Sequence, residues 1–194
     1  MEIRRFATQF QYIMAALAVA SLCSVSAPAQ SGTTHEATTA ASQSGQAATL
    51  VQVVRDATER YKDVNAAKAD GFQLVFGCVQ GPDAGAMGMH FLNPSRISTN
   101  LDPTRPQIVI YEPQPDGKLK LIGADFLVFA ADWDKANPGN PPQLMGQLFH
   151  FFDAPNRFGL PAFYTLHVWA WKNNPNGAFV NWHPNVSCVS FTGQ

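Results

Sequence analysis

No Cys-x-x-Cys, His-x-His or His-Glu-x-x-His run occurs in the 194 residues, so no ligand spacing by itself demands a metal. Gly-x-Ser-x-Gly and Ser-x-x-Lys are also missing, which removes the common serine-nucleophile templates. The glycine-dense stretch "GPDAGAMG", 81–88, lacks the lysine and the following helix of a phosphate loop. Basic charge is scarce. Thirteen Lys and Arg stand against fourteen Asp and Glu, with no basic cluster, which argues against a nucleic-acid partner. Past the first thirty residues no apolar run approaches the roughly 18 residues that span a bilayer. Proline is nearly absent from the first eighty residues, and thirteen of the fourteen lie between Pro82 and Pro184. Long helices are therefore expected only before that region.

What is present begins with an export signal. Arg4 and Arg5 precede the apolar run "YIMAALAVASLCSVS", and Ala27-Pro28-Ala29 offers small residues for cleavage. This layout predicts a signal peptide over 1–29, and a periplasmic or secreted protein with no membrane segment after cleavage. Residues 30–48 are rich in Ser, Thr, Ala, Gln and Gly. They read as a disordered spacer, with His35 solvated within it. Residues 49–194 have the length of one domain. Cys23 leaves with the signal, and two cysteines remaining in an oxidising compartment predict a Cys78–Cys188 disulfide.

The domain is expected to be α+β: one N-terminal amphipathic helix packed on a mainly antiparallel sheet of five or six strands. Leu50, Val54, Ala57, Tyr61 and Val64 recur at helical steps, with polar residues on the other faces. Thr49 and Gln52 have capping-box spacing, and Asp70-Gly71 predicts the stop, so the helix should end between residues 67 and 71. Strands are expected at 72–79, 87–93, 107–112, 118–129 and 163–171. Asp116-Gly117 and Asn176-Gly177 are expected to turn hairpins, the second leading into "AFVNW". A loop is expected over 131–142, and a helical turn or two in "QLMGQLFHFF".

Strand alternation selects the candidate site. In "YTLHVWAW", Leu166, Val168 and Ala170 share one face, suited to the helix. Thr165, His167, Trp169 and Trp171 share the other. In "MGMHFLN", Met87, Met89 and Phe91 lie opposite His90. Glu112 falls on a face with Ile108 and Ile110, and Asp125 on a face with Leu119, Leu121 and Leu127. A carboxylate on an apolar face needs a cation or several donors. His90, His167 and Asp125, with Glu112 beside them, would form a two-histidine, carboxylate set for a divalent transition metal. Trp169, Trp171 and Glu112 would line the pocket for a small molecule. His183 is expected in a loop, and His150 partly buried in the core. Three readings stay open: a pocket for a small molecule or metal ion, a metal-dependent enzyme, and an interaction module with exposed tryptophans.

The blocks "MGMHFLNP", "QIVIYEPQPDGKLKLIGADF" and "LHVWAWKNNPNGAFVNWHPNVSC" resemble, in that order, a widespread family of exported bacterial proteins with no established activity. The resemblance covers residues 61–188. It implies export and a single compact domain, and it assigns no catalytic residue. That family often has Glu at the position of Asp125 and Asn at that of His183. The resemblance thus keeps a carboxylate at the first and makes His183 dispensable as a ligand.

Overall fold

The computed structural model describes residues 33–193, with side chains from residue 42 onward. The expected signal peptide and the side chain of His35 lie outside the described residues. Helix α1 runs Thr33–Thr58, a 3-10 turn spans Glu59–Lys62, and α2 spans Val64–Ala69. Leu50, Val54 and Tyr61 are buried, and Ala57 and Val64 are half-buried, so the expected stripe faces the core. Two details differ from the sequence reading. The helix starts inside the stretch expected as a disordered spacer. Residues 42–49 there are exposed apart from Ala47, and alanine-rich sequence continues a helix without needing an apolar stripe. The helical stretch also breaks in the middle. Thr58 Oγ1 donates to Val54 O at 2.6 Å, a back-bond that bends helices, and Asp63 caps α2 by accepting from Asn65 N at 2.9 Å. The stop is where Asp70-Gly71 placed it. Gly71 has φ +92°, and Phe72 N bonds Ala67 O at 3.1 Å while Gly71 N bonds Lys68 O at 3.0 Å, a Schellman ending.

Strands follow at Gln73–Gln80 (β1), Ala86–Leu92 (β2), Ile108–Pro113 (β3) and Leu119–Phe129 (β4). Helix α3, Ala130–Ala136, occupies part of the expected loop. The segment expected to be helical forms strands instead: β5 (Gln143–Leu144), β6 (Gln147–Leu148) and β7 (His150–Phe152). Met145 and Gly146 both have positive φ there, which makes a tight hairpin. Strand β8 is Phe163–Val168. The main sheet is antiparallel, in the order β1-β2-β3-β4-β8-β7. The β3–β4 hairpin turns at Asp116-Gly117, with Gly117 N bonded to Gln114 O. The second expected hairpin is absent. Residues 172–188 form an irregular loop, because Pro175, Gly177 and Pro184 break any ladder.

Leu50 and Val54 of α1 pack on Ala124, Phe126, Leu166 and Val168, the β8 face expected to meet the helix. The opposite face carries Ile108, Ile110, Leu127 and Trp169 under the 172–188 loop. A bulge in β4 changes the alternation read from sequence. Ile110 pairs with Gly123 but Tyr111 with Leu121, which leaves Ile122 over. Leu121 therefore turns to the helix side with Tyr111, while Ile122 joins Ile108 and Leu127. In β2, Met87 lies beside His90 rather than opposite it, because Val79 pairs with Gly88 and Gln80 with Ala86.

Cys78 and Cys188 are joined, 110 residues apart in sequence. The bond ties the irregular loop to β1. The two edge strands, β1 and β7, are linked by residues 153–162. Arg157 Nη2 donates to Gln80 O of β1 at 3.0 Å, and Phe158 packs on Phe76 of β1 and Phe152 of β7.

Candidate metal centre

His90, Asp125 and His167 come from three strands of one sheet face. Asp125 and His167 are direct cross-strand partners. His90 lies opposite Ile110 of β3. A flat sheet would hold β2 about 14 Å from β8, at three strand spacings. The two imidazoles nevertheless meet, with Nε2···Nε2 at 3.3 Å, so the sheet curls around this face. Two glycines accompany the curl: a Cβ at Gly88 would sit 2.7 Å from Tyr111 O, and one at Gly123 would sit 2.6 Å from Val168 O. All three side chains are at most 4% exposed. One ligand atom from each lies within 4.8 Å of the other two.

The neighbours of each ring nitrogen bear on the proton positions. His90 Nδ1 lies 3.2 Å from Gly88 O. A carbonyl only accepts, so Nδ1 carries the proton and Nε2 presents a lone pair. His167 Nδ1 has Asp125 Oδ1 at 3.7 Å, too far for a hydrogen bond. Among the described residues, the buried side-chain polar atoms without a partner are His167 Nδ1 and Asn181 Oδ1. Asn181 favours the protonated His167 ring, as an acceptor does. Asp125 Oδ1 on that side only accepts, which favours the His167 proton on Nδ1. With both protons on Nδ1 two Nε2 lone pairs face each other, and with the His167 proton on Nε2 that N–H donates to His90 Nε2.

Burial governs the charges. It lowers His90 to about 4, helped by His167. It lowers His167 to about 3, with His150 the next cause. It raises Asp125 to about 6, against the pull of His90 and of Thr165. Thr165 Oγ1 donates to Asp125 Oδ1 at 2.5 Å. At neutral pH the group holds two uncharged imidazoles and one carboxylate, the protonation state a metal ion requires. An ion with bonds of about 2.0–2.1 Å at a tetrahedral angle spans an N···N distance of about 3.3–3.4 Å, which matches the observed gap. The group could therefore bind a metal.

The other candidates lie elsewhere. Trp169 is buried and stacks on the His167 ring at 5.9 Å. Trp171 is on the helix side, not beside His167. The strand ends at Val168, and Trp171 N bonds Ile122 O. Its Nε1 donates to Thr58 Oγ1 at 2.9 Å, and Lys62 Nζ sits 4.1 Å over the ring. Glu112 shares the face of Ile108 and Ile110 but does not join the histidines. Lys172 Nζ contacts its two oxygens at 2.7 and 2.8 Å, and Ser187 N donates to Oε1 at 3.1 Å. His150 is exposed rather than core, because β7 is an edge strand. His183 is in the expected loop but fully buried, with Nε2 donating to Asn173 O and Nδ1 accepting from Asn185 N.

Two participants were not singled out by the sequence. Thr165 was placed on the correct face by alternation, but nothing marked it as the partner of Asp125. Asn181 lies in the irregular loop, where no periodicity assigns a face. No family model matches the chain, and neither a curated protein nor a solved structure matches it, so the chemistry of this centre is carried by its own geometry.

Proposed function

We propose that this chain is an exported protein that binds one divalent transition ion through His90, Asp125 and His167. The observation that carries this reading is the approach of two buried imidazole Nε2 atoms to 3.3 Å beside the Asp125 carboxylate. With both protons on Nδ1 the facing lone pairs repel, and a shared cation removes the repulsion. A proton is a poor candidate, since burial disfavours either imidazolium. The adjoining space also favours an ion over an organic ligand. Its free volume is about 20 Å³, room for a water or a slim ligand of a few atoms. Export is supported by the N-terminal signal pattern, by the Cys78–Cys188 bond, and by the resemblance to exported bacterial proteins. No helix of the described residues is long and apolar enough to cross a membrane.

Two histidines and one carboxylate leave coordination positions open. The free space beside them supports the second reading, an enzyme in which the ion activates a bound water or other small ligand. An interaction module built on exposed tryptophans finds no support, since Trp169 is buried and Trp171 half-buried.

The test is elemental analysis of protein recovered from the periplasm, with calorimetric titration of Zn²⁺ and Co²⁺ into chelator-treated protein. One ion per chain is expected for the wild type. His90→Ala and His167→Ala should each lose it while remaining folded. Wild type without stoichiometric metal, or variants that bind as well as wild type, would overturn the reading.

A further inference from the structure

The three metal-binding side chains look out onto an apolar throat. Phe76, Phe152, Phe158, Leu160 and Phe163 line it, and no Lys or Arg does so among the described residues. Phe158 is its hub. Its ring centroid lies 5.3 Å from Phe76, 6.1 Å from Phe152 and 6.0 Å from Phe163. Phe76 sits where β1 bulges opposite β2, between the Val75–His90 and Cys78–Met89 pairs. Its φ of +62° belongs to the bulge, and it remains 40% exposed at the mouth. Beneath these rings the free volume is about 20 Å³.

This throat restricts what can reach the ion. A divalent ion with two neutral imidazoles and one carboxylate keeps one net positive charge in an apolar surrounding. A neutral or singly anionic ligand suits that charge, and a cation does not. A ligand with several hydroxyls, or with a phosphate, would leave its hydrogen bonds to water with nothing in the lining to replace them. The small volume sets the size. Resting on the metal reading above, we infer that the ion's exogenous ligand is a molecule of two or three heavy atoms, neutral or singly anionic. Phe158, backed by Phe76, excludes anything larger.

The test uses cobalt-loaded full-length protein and its visible absorption bands. Azide should shift the bands of the wild type, and imidazole at the same concentration should leave them unchanged. Phe158→Ala should admit imidazole with affinity raised about tenfold or more, while azide binding changes little. Phe76→Gly guards against a misfolded first variant, since it removes a half-exposed ring at a φ that glycine prefers. It should admit imidazole as well. Imidazole binding to the wild type as tightly as azide would overturn the inference. So would folded variants that still exclude imidazole. Wild type without stoichiometric cobalt bands before any ligand is added would instead overturn the metal reading, and this inference with it.

Discussion

Glu112 and Asp125 are the same kind of signal in the sequence, a carboxylate on an otherwise apolar strand face, and the fold treats them differently. Glu112 lies near the end of β3, where the chain after β8 brings Lys172 and Ser187 N to its oxygens. Its charge is matched within the protein. Asp125 lies in mid-sheet, and among its described partners only the Thr165 hydroxyl and backbone N–H groups support its carboxylate, with two uncharged imidazoles as neighbours. Its charge is unmatched. A matched buried carboxylate fastens a loop. An unmatched one beside two imidazoles could hold a cation. The difference lies in which residues arrive from the 172–188 loop.

The largest expected effect touches both regions. The 172–188 loop carries Ser187 to Glu112 and Asn181 to His167, and Cys188 anchors it to β1. Reducing the Cys78–Cys188 bond should cost about 4–5 kcal/mol by the loop-entropy argument. It should also weaken metal binding, as read by denaturant titration and calorimetry. Stability unchanged by reduction would mean that the loop is held without the bond. Next, Lys172→Met should cost about 3 kcal/mol by leaving Glu112 uncompensated. Adding Glu112→Gln to it should recover most of that loss. A double variant no more stable than the single would show that Lys172 acts through packing alone.

Asp125→Asn should have the opposite sign. Metal-free protein should gain about 1–3 kcal/mol near neutral pH, because Asp125 is ionised there at the expense of folding. The metal-dependent rise in melting temperature should vanish with the same change. Loss of stability in the metal-free variant would sink the contrast with Glu112.

Acid titration of metal-free wild type is subtler. The two histidines, depressed to about 4 and about 3, contribute stability that is full above pH 6.5 and falls as they protonate in the unfolded chain. Asp125, raised from 3.8 to about 6, has the reverse slope between those values. Two histidines outweigh one carboxylate, so stability should fall on acidification from pH 6.5 to 4. The net slope is about 1.4 kcal/mol per pH unit, one proton's worth. Asp125→Asn should steepen it, and a flatter profile would contradict the burial of the pair. The smallest effect is expected from deleting residues 30–45, which belong to neither region. The melting temperature should move by only a degree or two, and a larger drop would show that this end of α1 docks on the domain.

Much of the architecture was legible because it repeats with a period. The Leu50–Val54–Tyr61 stripe, the Asp70-Gly71 stop and the alternation in β8 all follow from local sequence, and they put His167 opposite the helix. His90 and Asp125 were legible as polar residues in apolar runs. Their convergence with His167 was expected as a set, but alternation alone gives no reason for it, since it depends on a sheet curl that brings β2 to β8. The bulge at Ile122 was equally hidden, because an apolar run reads the same in either register. Asn181, Lys172 and the turn of Trp171 toward the helix belong to chain without regular structure, where residues carry no periodic label. His150 was misread because an apolar neighbourhood does not reveal which strand lies at an edge.

Phe158 stands where two demands meet. Its loop plugs the throat, and the same loop holds β1 and β7 together through Phe76, Phe152 and the Arg157–Gln80 bond. An uncovered strand edge is a template for other chains. Any motion that widens the throat therefore bares both borders of the sheet at once. If that loop limits ligand size, then ligand breadth and colloidal solubility are tied to one segment, and variants that accept bulkier ligands are expected to precipitate first.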